Sequence, residues 1–208
     1  MRPAAVLFDL DGTIIDSAPI VTRIMSEVAS ELFGVDEDLD YFQRFVGPPL
    51  SETMAELGAS EDEVPAAIAY FRERYGKVMT DSPPFAGMPE LLASLTMPIA
   101  VATSKKEEAA KRVLAHHGLI DHFTVVSGSR SEGEPKSEIV GTALAELRRV
   151  AGPIDGEILM IGDRIHDIEA ARAHGLDTIL VTWGAGRAGE AEQARQAVDT
   201  VADLAELL

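Results

Sequence analysis

Five short apolar runs punctuate the chain, at residues 4–8, 98–102, 123–126, 158–161 and 178–181. They are rich in Val, Ile and Leu, and turn residues flank them. Continuous apolar runs of this length, without polar alternation, are how a strand buried on both faces reads. Between them lie amphipathic helical patterns. Residues 107–117 set Ala109, Ala110, Val113 and Leu114 against Lys111 and Arg112. Residues 137–150 carry Ile139, Val140, Ala143, Leu144 and Leu147, and a further pattern at 168–174 stops at Gly175. Strands alternating with helices predict an α/β fold with a parallel sheet.

One stretch breaks the alternation. Residues 18–80 show only helical periodicity, with Ile20, Ile24, Val28 and Leu32 at one end and Ile68, Phe71, Tyr75 and Val78 at the other. Gly47-Pro48-Pro49 is a hard turn between them, and Ser82-Pro83-Pro84 is the linker back. This predicts an all-helical insert after the first strand. The Ala/Glu-rich tail, 188–208, reads as loop plus terminal helix.

Composition narrows the functional classes. The chain has 208 residues, 46% hydrophobic and 25% charged, so it can bury a real core, as one main domain with a smaller appendage. Its net charge is -17, from 35 acidic and 18 basic side chains. Such a surface repels nucleic acid and anionic lipid, so general nucleic-acid binding is not expected. A small anionic substrate requires a metal ion or local cations to reverse the sign inside a pocket. With no cysteine, disulfides, thiolate nucleophiles and zinc–thiolate sites are excluded. The run before Asp9 is too short for the roughly 7–15-residue apolar region of a signal peptide. No stretch approaches the roughly 18 apolar residues of a membrane span. The expected location is the cytoplasm, with no membrane partner.

Ligands of open parallel sheets bind beyond the carboxyl ends of the strands, so the residues that follow each apolar run carry the candidate chemistry. After the first comes Asp9-Leu10-Asp11-Gly12-Thr13. Two carboxylates two apart in extended chain point to the same side. One can attack while the other handles a proton, and an aspartate, ionised at neutral pH, needs no activating base. Taken alone, a strand end capped by acids has the same appearance. After the second run, Thr103-Ser104-Lys105 offers hydroxyls and free N–H groups at a helix start, which suit a phosphate or simply cap the helix. Lys136 follows Gly133-Glu134-Pro135 at the opening of a helix, where a cation opposes the macrodipole unless an anion offsets it; a solvated surface lysine is the plain alternative. After the fourth run comes Gly162-Asp163-Arg164-Ile165-His166-Asp167. If the helix starts between Asp163 and Asp167, both acids face one spot and cluster with Asp9 and Asp11. Such a cluster needs a cation, and all-oxygen ligation favours Mg²⁺.

In order and placement these four features resemble the signature motifs of the haloacid dehalogenase superfamily, in its phosphatase branch. Val6-Leu7-Phe8-Asp9-Leu10-Asp11-Gly12-Thr13-Ile14-Ile15-Asp16-Ser17 is similar to the first motif in nearly every position. Thr103-Ser104-Lys105 is similar to the second, Lys136 to the third, and Gly162-Asp163-Arg164 with Asp167 to the fourth. The resemblance covers the whole chain. It implies a Rossmann-like doubly wound parallel sheet as catalytic core, residues 1–16 and 82–208, with a small helical cap domain, residues 17–81.

The resemblance implies a mechanism as well. Asp9 attacks phosphorus and forms an aspartyl-phosphate; Asp11 protonates the leaving oxygen and then activates water. Mg²⁺ is held by Asp9, the backbone carbonyl of Asp11 and Asp163, while Asp167 orients the metal site and Lys136. Lys136, Gly12 and a hydroxyl from Thr103 or Ser104 hold the phosphoryl group. Asp11 argues for phosphate-ester chemistry over dehalogenation or phosphonate cleavage, since relatives of those kinds replace it. Sugar phosphomutases share both aspartates but usually carry a basic residue and a Gly where this chain has Val46-Gly47-Pro48-Pro49-Leu50. That segment, with Val181-Thr182-Trp183-Gly184, resembles the phosphoglycolate phosphatase group and its bacterial 5′-nucleotidase-like members. Gly184-Ala185-Gly186 departs from the group's usual Gly-aromatic-Gly.

The expected activity is therefore Mg²⁺-dependent hydrolysis of a small phosphorylated metabolite by a monomer or homodimer. A phosphomutase and a non-catalytic phosphate-binding module are the competing readings. Among other residues, Arg23, Arg44, Arg72, Arg74 and Lys77 read as a solvated helix face from which one or two can meet the leaving group. His116, His117, His166 and His174 read as surface or packing residues, Trp183 as packing beneath the last loop, and Asp16 with Ser17 as caps of the first inserted helix.

Overall fold

A computed structural model of the chain describes residues 2–131 and 133–208. Six strands form one parallel sheet: β1 (Ala5–Phe8), β2 (Ile99–Lys106), β3 (Val125–Ser129), β4 (Ile158–Gly162), β5 (Asp177–Val181) and β6 (Gln196–Val198). Their order is β3-β2-β1-β4-β5-β6, so β1 is central and the chain reverses direction across the sheet between β1 and β4. The first five strands overlap the five apolar runs, with β2 and β3 running on past theirs to Lys106 and Ser129. β1 is buried at every position because β2 and β4 flank it and helices cover the sheet.

α5 (Met88–Ser94) leads into β2, α6 (Glu107–His116), α7 (Lys136–Ala151) and α8 (Ile165–Arg172) join β2 to β5 in turn, and α9 (Val201–Leu207) follows β6. One face of the sheet offers alternate residues of each strand, Ala5 and Leu7, Ala100 and Ala102, Ile158 and Met160. Ile139, Val140, Ala143, Leu144 and Leu147 of α7 and Ala170 and Ala171 of α8 fill that face. The result is a Rossmann-like doubly wound α/β fold. The tail departs from expectation, because β6 lies within the segment read as loop and helix. It is a three-residue edge strand with only Val198 buried, too short and too polar to show as an apolar run.

The chain divides into two compact units, Met1–Asp16 with Pro83–Leu208 and Ser17–Ser82. The second unit holds α1 (Ala18–Phe33), α2 (Leu39–Gln43), α3 (Leu50–Glu56) and α4 (Val64–Val78). It has its own core, in which Ile24, Met25 and Val28 of α1 meet Phe42, Met54, Ile68 and Phe71. Ser17 is the N-cap of α1, but its side chain makes no capping bond, contrary to the sequence reading. Its φ of -88° and ψ of -16° are helical, whereas a capping side chain needs extended backbone to reach the helix donors; Pro19 also removes one of those donors. Where the chain leaves and re-enters the sheet unit, Asp16 N–H donates to Pro83 O at 2.9 Å and Phe85 N–H to Ile14 O at 2.9 Å. No helix among the described residues is long and apolar enough to cross a membrane.

Candidate active site

The crossover between β1 and β4 decides which side chains meet. Asp9 follows β1 directly and its N–H donates to Ile161 O of β4 at 2.8 Å. Asp163 follows β4 directly. Asp167 stands in the first turn of α8, one helical turn from Asp163. A Cβ on Gly162 would overlap the Asp167 carboxyl group, so glycine there is what lets Asp167 fold back over the strand end. Asp9, Asp163 and Asp167 each present an oxygen within 4.8 Å of the others'. Asp163 and Asp167 are 1% and 2% exposed.

Lys136, the first residue of α7, reaches this cluster. Its Nζ donates to Asp9 Oδ1 at 2.5 Å and lies 3.0 Å from Asp167 Oδ1. Two carboxylates thus answer the cation that opposes the α7 macrodipole. Asp167 also accepts the Arg164 N–H on Oδ2 at 3.1 Å, so both its oxygens are engaged. Asp163 accepts from Thr13 Oγ1 at 3.4 Å and from Ala185 N–H at 2.7 Å. Gly12, with φ of 80°, and Gly184 crowd it so closely that a Cβ on either would overlap its carboxylate.

The Asp11 carboxylate, near enough to add to the rise of Asp9, is turned toward Lys105. It does not join the carboxylate cluster that the sequence reading gave it; both its oxygens accept from Lys105 Nζ, at 2.8 and 2.7 Å. Lys105 belongs to the stretch singled out in the sequence, but its reach across to Asp11 depends on tertiary structure. β2 loses register with β3 between Thr103 and Lys106, and Gly128 of β3 leaves space there that a Cβ would take from the backbone of Lys105 and Glu107. Of the two candidate hydroxyls, Thr103 is buried and its Oγ1 accepts from Lys105 N–H at 3.2 Å, whereas Ser104 is exposed. Trp183 donates its indole N–H to Thr13 O at 3.2 Å and lies tilted against Phe85. His174 contacts Ser137 O at 2.7 Å.

Burial dominates the acid chemistry. It pushes Asp9 up to about 6, against the pull of Lys136, with Asp167 adding to the rise. It pushes Asp163 up to about 8, helped by Asp167 and Asp9 and opposed by the Ala185 N–H and Arg164. Burial also opposes the charge on Lys136, but Asp167 and Asp9 outweigh it and raise its pKa. One ammonium facing three buried carboxylates leaves negative charge in excess, and the donors are oxygen alone. The set fits a hard divalent cation. In the folded, metal-free protein Asp9 and Asp163 hold protons more tightly than in the unfolded chain. The stability they contribute is therefore full below about pH 4 and is lost as pH rises through about 6 for Asp9 and about 8 for Asp163. The metal-free melting temperature should fall across that window, and saturating Mg²⁺ should flatten the fall. Melting curves from about pH 5 to 8.5, with Mg²⁺ and with chelator, check this; parallel profiles would contradict it.

The family model of the haloacid dehalogenase-like hydrolases matches residues 6–181, a span that includes Asp9, Asp11, Thr103, Lys136, Asp163 and Asp167. The chain belongs to the haloacid dehalogenase-like hydrolase family. Among curated relatives of this hydrolase, tyrosine-protein kinase PtkA of Mycobacterium tuberculosis is 37% identical over 191 residues, which are 89% of this chain and 64% of PtkA. The chain thus spans less than two thirds of that relative's length. The solved PtkA structure superposes with a TM-score of 0.84 at 35% identity, covering 99% of this chain and 97% of that one. A 5′-nucleotidase of Pseudomonas aeruginosa is 35% identical over 100% of this chain and 97% of its own length. A phosphoglycolate phosphatase of Rhodobacter capsulatus is 31% identical over 88% of this chain and 86% of its own.

Proposed function

We propose that this haloacid dehalogenase-like hydrolase cleaves a small phosphate monoester, with Asp9 as the nucleophile. The observation that carries this reading is the Asp9 carboxylate at the end of the central strand, 2.5 Å from the Lys136 ammonium and within 4.8 Å of Asp163 and Asp167. Asp9, Asp163 and the carbonyl of Asp11 would hold Mg²⁺. When bound, that ion supplies positive charge that lets a dianionic phosphate approach an anionic carboxylate. Asp9 attacks phosphorus as the ester P–O bond breaks, and Asp11 delivers its proton to the leaving oxygen. Asp11 then takes a proton from the water that attacks the aspartyl-phosphate, which releases phosphate and restores Asp9. Lys105 provides the positive charge beside Asp11 whenever that carboxylate is ionised. Lys136 and Thr103 hold the phosphoryl oxygens, and Asp167 fixes Lys136. The Val46-Gly47-Pro48-Pro49-Leu50 segment, with the full-length similarity to a 5′-nucleotidase, supports a small metabolite as substrate.

Similarity to PtkA favours a second reading, phosphoryl transfer from a nucleotide to tyrosine. One experiment separates the two. Phosphate release is measured on phosphoglycolate, nucleoside monophosphates and an aryl phosphate, with Mg²⁺ and with chelator, beside incubation with terminally labelled ATP and a tyrosine-containing protein. Metal-dependent release from a monoester is the expected outcome. Silence on every ester together with label on tyrosine would replace hydrolysis by kinase activity; turnover only after priming by a sugar bisphosphate would indicate a mutase.

A further inference from the structure

Glu190 is an acid with almost no solvent, 8% exposed, in a segment without regular structure. Its Oε2 accepts the Ile165 N–H, the first of α8, at 3.0 Å, and stands 3.5 Å from Arg164 Nε. Asp167 takes the N–H immediately before, that of Arg164, at 3.1 Å. Two donors that the helix itself cannot satisfy are therefore met by two acids, one from within the helix and one from 25 residues further on. The acid charge also faces the positive end of the α8 macrodipole.

The segment that carries Glu190 touches Asp163. It leaves β5 at Thr182, whose N–H donates to Val198 O at 3.0 Å and whose Oγ1 donates to Asp199 at 2.6 Å. Trp183 bonds Thr13 O, Ala185 N–H bonds Asp163 Oδ2, and a Cβ on Gly186 would come within 2.5 Å of the Asp163 carbonyl. Residues 182–190 thus form a strap across Asp163, tied at one end to β6 and at the other to the start of α8. Arg164 and Ile165, the residues Glu190 holds, follow Asp163 directly. Glu190 therefore restrains both the backbone leading out of Asp163 and the strap that orients its carboxylate.

We infer that Glu190 is a positioning residue for the Asp163 carboxylate and sets the affinity of the site for magnesium. This rests on the reading of Asp163 as a magnesium ligand. Partners that orient a metal-binding carboxylate typically govern affinity by about 10–100-fold. No role in binding the rest of the substrate follows for Glu190, whose contacts are with Ile165 and Arg164.

The test is a magnesium titration of the full chain followed by melting temperature, for the native protein, Glu190→Gln, Glu190→Ala and Glu192→Gln. Glu192 is an exposed acid just past the strap and controls for loss of charge. Glu190→Gln keeps the side-chain shape and an acceptor for Ile165 N–H, so it folds even where Glu190→Ala does not. The expected result is a half-saturating magnesium concentration raised about 10-fold in Glu190→Gln and unchanged in Glu192→Gln. With saturating magnesium and an aryl phosphate, kcat in Glu190→Gln should recover toward the native value and KM should stay constant. Identical titrations in native and Glu190→Gln protein would overturn the inference alone. An equal rise in Glu192→Gln would overturn it as well, by making the effect one of net charge. A native protein that does not respond to magnesium would overturn the reading of Asp163 and this inference together.

Discussion

Asp9→Asn should lose at least about 10⁴-fold in kcat for the best monoester while keeping its melting temperature within a few degrees. The first half follows from the chemistry. Asparagine occupies the same volume but its amide does not attack phosphorus, and no other group in the cluster stands where Asp9 does, at the mouth of the β1–β4 crossover. On the proposed mechanism, what remains is the binding and electrostatic contribution of Lys136 and Mg²⁺. The second half follows from the electrostatics of the metal-free protein. Burial already pushes Asp9 up to about 6, so replacing it by a neutral side chain relieves a desolvated charge. Lys136 keeps Asp167 at 3.0 Å and is not left without a partner. The measurement is steady-state phosphate release together with thermal melting of metal-free protein. A variant that stays folded and turns over at more than about a hundredth of the native rate would remove Asp9 from the nucleophile's role.

Lys136→Ala should damage activity and stability together. On the proposed mechanism Lys136 donates to the phosphoryl oxygens, and loss of one such charged donor costs about 10²–10³-fold in turnover. The structural effect is the more diagnostic. Lys136 is 10% exposed, and its Nζ bridges Asp9 and Asp167. Its removal leaves three carboxylates within 4.8 Å without the ammonium that bridges Asp9 and Asp167. Breaking a buried ion pair from one side costs about 3–5 kcal/mol. In a chain of this size that lowers the metal-free melting temperature by about 6–20 °C. Magnesium should restore part of the loss, because it supplies the missing charge. Melting curves with chelator and with Mg²⁺ decide the matter; a metal-free midpoint unchanged by the substitution would show that Lys136 does not balance the cluster. The contrast with Asp9→Asn is informative, since one removes a negative and the other a positive charge from the same contact.

The sheet was legible because its strands are continuous apolar runs, a pattern that burial on both faces imposes. Asp9 and Asp163 could be placed at strand ends by the same logic, and Lys136 at a helix start by Pro135 before it. β6 was not legible, since an edge strand with one buried residue leaves no apolar run. Nor was the capping of α1, which turned on whether Ser17 adopts extended or helical backbone, a difference that residue type does not specify.

The sequence by itself determined the α/β class, the helical insert and the set of residues that end the strands, because strand burial, turn chemistry and helix starts are local in origin. Only the tertiary structure decided which of those residues meet. Lys136 reaches Asp9 across 127 positions and Lys105 reaches Asp11 across 94. Asp9 and Asp163 are neighbours because β4 returns to the side of β1 that β2 leaves open. That choice divides the four aspartates into a cluster of three and an adjoining Lys105–Asp11 pair. Glu190 shows the same limit from the other direction. Nothing about an acid in an Ala/Glu-rich tail marks it as buried. It became so because the strap after β5 folds back onto α8, where the Ile165 N–H and the Arg164 guanidinium give a buried carboxylate its partners.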